Sequence, residues 1–79
     1  MKPEEIAALI RSQLPSAEAR VASPDEVHFE AVVIASEFAG KRTLERHRLV
    51  YSALGGRMGR EIHALALQVF TPEEWAARP

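Results

Sequence analysis

The chain is expected to fold as an α+β domain: a three-stranded mixed sheet with helices packed on it, in the order helix, strand, strand, helix, strand, helix. Three observations predict this. Apolar residues recur at helical spacing in two segments, and near-alternating apolar runs form three others. Turn and capping residues fall between them. Strands two and three are separated by a helix, so they are expected to be parallel with a right-handed crossover. Strands one and two are expected to form an antiparallel hairpin.

The first helix is read over residues 3 to 14. Pro3 and the acids Glu4 and Glu5 suit a helix start, Ile6, Leu9, Ile10 and Leu14 keep helical spacing, and Pro15 ends it. Residues 17 to 22, AEARVA, form a weaker strand candidate. SPDE at 23 to 26 is a turn, because Ser and Asp bond their own backbone and Pro fixes φ. VHFEAVVIAS, 27 to 36, is the second strand, with Phe29, Ala31, Val33 and Ala35 on one face and His28, Glu30, Val32 and Ile34 on the other.

Gly40 breaks the pattern, and Thr43 is expected to cap a helix over LERHRLVYSAL. Leu44, His47, Val50, Tyr51 and Leu54 lie on its apolar stripe, and Gly55-Gly56 stops it. EIHALALQVF, 61 to 70, is the third strand. It is apolar on both faces, as in a strand covered on both sides or one beside a parallel neighbour. In TPEEW, Thr71 as cap, Pro72 at the first helical position and Glu74 three residues after the cap make a capping box for a helix ending near Arg78.

The 79 residues suffice for one domain, residues 1–79. A chain this short buries only ~60% of its unfolded surface. It has no cysteine, so packing alone must hold it and no thiol chemistry or thiolate metal site arises from this chain by itself. The start turns acidic before any long apolar run, unlike a signal peptide, and no stretch approaches the ~20 apolar residues of a membrane span. A cytoplasmic domain is expected. The net charge of −1 argues against a generally basic nucleic-acid binder. Yet Lys41, Arg42, Arg46, Arg48, Arg57 and Arg60 cluster with Glu45 as the only intervening acid. That cluster is a candidate surface for nucleic acid or an acidic partner, against the blander reading of a solvated face.

No serine has a nucleophile-elbow context and no triad is suggested, so no catalytic residue is expected. Gly56-Arg57-Met58-Gly59 has the G-x-x-G spacing of a KH backbone clamp, but a helix-ending turn wants glycine anyway. His28, His47 and His63 lack local metal spacing, so zinc is not indicated. His47, on the helical stripe, is expected to be structural, its half-buried ring bonding a carbonyl. His28 starts the second strand. His63 opens the third, where a strand end can hold a ring rigidly with one nitrogen outward.

HFEAVVIASEFAGKRTLERHRLVYSAL followed by EIHALALQVFTPEEW resembles the BolA family over residues 28 to 75. The matching features are HF at the start of strand two, the F-x-G-K turn, the RHRLVY helix, IHAL and TPEEW. The resemblance implies a class II KH-like fold, agreeing with the element order read above. It implies a protein that pairs with a monothiol glutaredoxin to share one [2Fe-2S] cluster, for cluster trafficking or iron regulation. The alternative it implies is a DNA-binding regulator of morphology or stress response. A cofactor-free adaptor and a homodimer also stay open.

By this resemblance the cluster-ligand histidine is His63, in IHAL. A [2Fe-2S] centre needs four ligands, and this chain lacks thiolates, so the partner's cysteine and glutathione would supply them. An imidazole ligand removes negative charge and makes the bond sensitive to protons near the free imidazole pKa of ~6.5. The family's second His or Cys ligand lies in the loop between strands one and two. Here that loop, SPDEV, has neither, and His28 is the nearest candidate.

Overall fold

The computed structural model describes residues 1–79. Helix α1, Pro3–Gln13, begins with Pro3 in its first turn, and Glu5 Oε1 accepts the Lys2 backbone N–H at 2.8 Å. Ile6, Ala7 and Ile10 form its buried face, continued by Leu14 just past its end. Strand β1, Glu18–Ala22, pairs antiparallel with β2, His28–Ile34. Strand β2 then pairs in parallel with β3, Ala64–Phe70, giving the sheet order β1-β2-β3. The mixed sheet expected from the sequence is therefore present, with β2 central.

Helix α2, Thr43–Leu54, connects the parallel strands. It stops where Gly55 adopts φ 57° and ψ −136°, backbone space that a side chain disfavours. Helix α3, Pro72–Ala77, starts with the capping box read from TPEE. Thr71 Oγ1 accepts the Glu74 N–H at 3.2 Å, and Glu74 Oε1 accepts the Thr71 N–H at 2.8 Å. No helix is long and apolar enough to cross a membrane.

One core lies between the sheet and helices α1 and α2. It joins Ile6, Ile10 and Leu14 to Phe29 and Val33, and both groups to Val50, Leu54 and Ile62. Leu65, Leu67 and Val69 pack against it from β3, while Ala64, Ala66 and Gln68 are exposed. Of the two arrangements that the apolar third strand suggests, a parallel neighbour is the one present, since only one of its faces meets the core.

Several local expectations are corrected. Thr43 is the first helical residue; Arg42 precedes the helix, its N–H bonded to Glu45 Oε1 at 2.9 Å. The buried face of α2 is Val50, Ala53 and Leu54, with Leu49 partly buried, whereas Leu44 is 62% exposed and Tyr51 38%. The helix is rotated so that Arg46 faces inward at 12% side-chain exposure. A short 3-10 turn, Ser36–Phe38, follows β2 and buries Phe38 completely. The third strand starts at Ala64 rather than 61, because residues 58 to 62 close a turn of their own. In it the Gly59 N–H donates to the Ile62 carbonyl at 2.7 Å, and Ile62 bridges back to Met58.

Candidate functional site

The parallel pairing brings the starts of β2 and β3 side by side. His28 stands opposite Ala64 in the register, and the His63 N–H donates to the Val27 carbonyl at 3.2 Å. Residues far apart in sequence thereby place two imidazoles at one end of the sheet. Both residues are exposed. Continued alternation would have sent His63 toward the core with Leu65; it lies in a bend ahead of the strand and is exposed instead. Its predecessor Ile62 is fully buried, so the exposed histidine follows a core anchor.

His28 has a partner that the sequence reading missed. Its ring Nδ1 lies 2.8 Å from Asp25 Oδ2. Asp25 Oδ1 accepts the backbone N–H groups of Val27 at 3.0 Å and His28 at 2.8 Å. These bonds, the backbone one from His28 foremost and its ring next, hold the Asp25 carboxyl well below the usual carboxylate range. Ser23 completes the turn, its hydroxyl accepting the Glu26 N–H at 2.8 Å. Glu26 adopts φ +60°, which the tight loop imposes on a non-glycine residue. The SPDE motif gave the turn, but nothing in spacing showed that Asp25 reaches the imidazole.

The run of basic residues is divided by the fold. The 12 residues of α2 span about 18 Å, so Lys41 and Arg42 sit at one end of it and Arg57 and Arg60 follow the other. Lys41, Arg42, Arg48 and Arg60 are exposed. Lys41 and Arg48 line a shallow depression with Glu45 and Leu49. Arg57 lines a separate groove with Met1, Glu5, Ala8 and Leu9. Arg46 is not a free cation. Its terminal nitrogens donate to Glu74 at 2.6 and 3.2 Å, its Nε donates to the Lys41 carbonyl at 2.9 Å, and it lies 5.8 Å from the Phe38 ring. Its guanidinium is thus engaged by contacts within the chain.

His47 is half-buried, as expected, but it contacts the Tyr51 ring edge-on at 6.1 Å instead of bonding a carbonyl. The G-x-x-G segment does not form a free amide cradle, since the Gly59 N–H is bonded within the turn and the Ile62 and Arg60 N–H groups both donate to the Arg57 carbonyl. It serves the helix stop and the turn into β3.

Among donors that could hold a metal, His63 and His28 are the exposed, neighbouring pair. No three or more His, Cys, Asp or Glu side chains converge anywhere in the chain. With no thiolate available, the residues fit one imidazole-bearing side of a metal site completed by another molecule. At the opposite end of the sheet, Trp75 packs edge-on against Phe70 at 5.2 Å, with the guanidinium groups of Arg20 and Arg78 at 5.0 and 3.3 Å from the Trp75 ring.

The chain is 43% identical over 53 residues to a DNA-binding transcriptional regulator BolA of Haemophilus influenzae, a match covering 67% of this chain and 52% of the relative. The match thus spans about half the length of that curated relative. The structure of a BolA homologue from Coxiella burnetii superposes with a TM-score of 0.83 at 42% identity, covering 96% of this chain and 97% of the other. The BolA domain of SufE1 from Arabidopsis thaliana gives 0.77 at 30% identity, covering 91% and 93%. The family described as BolA-like protein matches residues 1–74. Sequence, fold and motif placement agree: this chain belongs to the BolA family.

Proposed function

We propose that the chain is an accessory iron–sulfur protein that pairs with a monothiol glutaredoxin and contributes the His63 imidazole to a shared [2Fe-2S] cluster. The observation that carries this reading is the exposed His63, set between the buried anchor Ile62 and a backbone bond to Val27. A ring held that way can be presented to a second molecule without reorganising the core. The donor chemistry agrees, because the missing thiolates must come from the partner's cysteine and glutathione. When bound, the cluster would supply redox and iron-transfer chemistry. This chain would hold one edge of it through a neutral nitrogen.

Co-expression with a monothiol glutaredoxin tests the reading. The purified pair is expected to contain iron and to give a visible circular dichroism signal that His63→Ala changes or removes. A pair that forms without iron would support a cofactor-free adaptor instead. An iron-loaded pair unaffected by His63→Ala would remove His63 from the proposal.

A second reading is favoured by the exposed trio of Lys41 and Arg42, just ahead of α2, and Arg48, within it, and by the name of the Haemophilus relative. In that reading the trio contacts DNA phosphates. Three neutralised phosphates predict a log–log salt slope of about −2.7. Arg48→Glu is expected to weaken binding across all sequences alike. Absence of binding to duplex DNA at low salt would dismiss this reading.

A further inference from the structure

We propose that the outer edge of β3 pairs with the same edge of a second copy of this chain, antiparallel and about a two-fold axis at Leu67, so that two three-stranded sheets become one. The inference goes beyond the function proposed above and does not depend on a metal.

The edge is open, and its phase is fixed. The order β1-β2-β3 gives β3 a neighbour on one side only. Outside the sheet's own ladder, the one backbone bond made by residues 64 to 70 runs from the Ala35 N–H to the Phe70 carbonyl at 2.9 Å, again on the β2 side. The N–H and C=O of one residue point to the same side of a strand, and the side alternates along it. Phe70, Gln68, Ala66 and Ala64 therefore turn their backbone groups toward β2. Leu65, Leu67 and Val69 turn theirs outward.

The two edges of the sheet are built differently. Strand β1 exposes Glu18 and Arg20. Charges of that kind keep an edge from pairing with other strands. Strand β3, ALALQVF, has no charge, proline or glycine. Its register with β2 runs unbroken, so no bulge turns the edge away. Helix α3 turns back over the exposed face of the sheet, where Trp75 meets Phe70 and Arg20 of β1, rather than along this edge.

The edge fits itself. With the axis at Leu67, Leu67 faces Leu67 of the second copy and Leu65 faces its Val69. These are the residues with outward backbone groups, so every outward N–H and C=O finds a partner. Sliding the pairing by two residues leaves one of the three without its strand partner. On the exposed face, Ala64 falls opposite Phe70 and Ala66 opposite Gln68, small against large, and no like charges meet within the strands. Leu65, Leu67 and Val69 are only partly buried in one copy, and a second copy covers the flank that α2 leaves open. A contact that uses the same patch on both molecules closes as a dimer and does not propagate.

Sedimentation of the full-length chain up to ~1 mM, enough to populate a weak complex, reads the assembly. A monomer–dimer equilibrium is expected. Amide exchange at the two ends of that range reads the surface: the Leu65, Leu67 and Val69 amides should slow with concentration, while those of Ala66 and Gln68, already bonded to β2, should not change. The register is tested at exposed positions that leave the core intact. Ala66→Lys combined with Gln68→Lys sets like charges opposite each other twice across the axis and should weaken the dimer about tenfold. Ala66→Glu combined with Gln68→Lys sets opposite charges there and should keep the dimer. A chain that stays monomeric at ~1 mM overturns the inference and leaves the edge to an extended segment of another protein. A dimer without slowed exchange at Leu65, Leu67 and Val69 overturns it too, and equal behaviour of the two double variants overturns the register.

Discussion

Arg46 on α2 binds Glu74 on α3 through both terminal guanidinium nitrogens, at 2.6 and 3.2 Å, across 28 positions of sequence. The pair links the middle of the domain to its last helix. Glu74 is also the residue that closes the Thr71 capping box, so one carboxylate serves the cap and the tertiary link together.

Removing Arg46 should therefore destabilise more than its charge suggests. Its stem packs near Phe38 and its Nε satisfies the Lys41 carbonyl. Arg46→Ala is expected to lower Tm by about 4–8 °C, the shift that ~1 kcal/mol produces in a domain of this size. Arg48→Ala, on an exposed residue of the same helix, should change it little. Lysine at position 46 should restore only part of the loss, because it cannot make the forked contact. Thermal unfolding of the three variants checks the order.

Acid should loosen the same link. Glu74, bonded first by Arg46 and then by the Thr71 N–H, has its carboxyl lowered to about 2. Asp25 and Glu37 are lowered as well, Glu37 chiefly by the Ser16 hydroxyl. Each folded carboxyl binds its proton less readily than the unfolded chain does. The stabilisation is thus intact above the ordinary carboxylate range of ~4 and is lost as pH falls toward 2. Urea midpoints should fall between pH 5 and pH 2. Glu74→Gln should start lower and fall less steeply, and an equal slope would contradict the assignment.

Adjacent positions 62 and 63 should respond in opposite ways. Ile62 is fully buried, so Ile62→Val should cost about 0.5–1.5 kcal/mol and Ile62→Ala about 2–5 kcal/mol. His63 is exposed, so His63→Ala should stay within about 0.5 kcal/mol of the parent. Chemical denaturation separates the two. A large loss at His63 would mean the ring supports the fold.

Gly55 should resist substitution although there is room around it. No atom lies within 4 Å of a Cβ built there, so any penalty comes from the backbone at φ +57°. Gly55→Ala is expected to destabilise by roughly 1–3 kcal/mol. Gly56→Ala, which carries no positive φ, should be milder.

What the sequence made legible was local. The TPEE box, the Pro3 helix start and the Gly55 stop rest on bonds made within a few residues, and each is where it was expected. Spacing alone does not place the stripe of α2, because Leu44 and Tyr51 share it, while the residues that turn inward are Val50, Ala53 and Leu54, with Arg46 one turn before Val50. The start of the third strand was misread because Ile62 belongs to a turn closed by Gly59, and apolar alternation does not register turn bonds. The basic run looked like one surface until a helix of 12 residues separated its ends. The IHAL motif singles out His63, whereas the register that sets its backbone beside the start of β2 and the tie of Asp25 to His28 are features that spacing does not carry.

The parallel register of β2 and β3 also couples recognition to folding. A hairpin of β1 and β2 alone has only one of the two imidazoles, and the other arrives after α2 has crossed and β3 has docked. Any molecule that grips both strand starts selects the finished topology over every partly assembled form. Its binding must then raise the melting temperature with concentration.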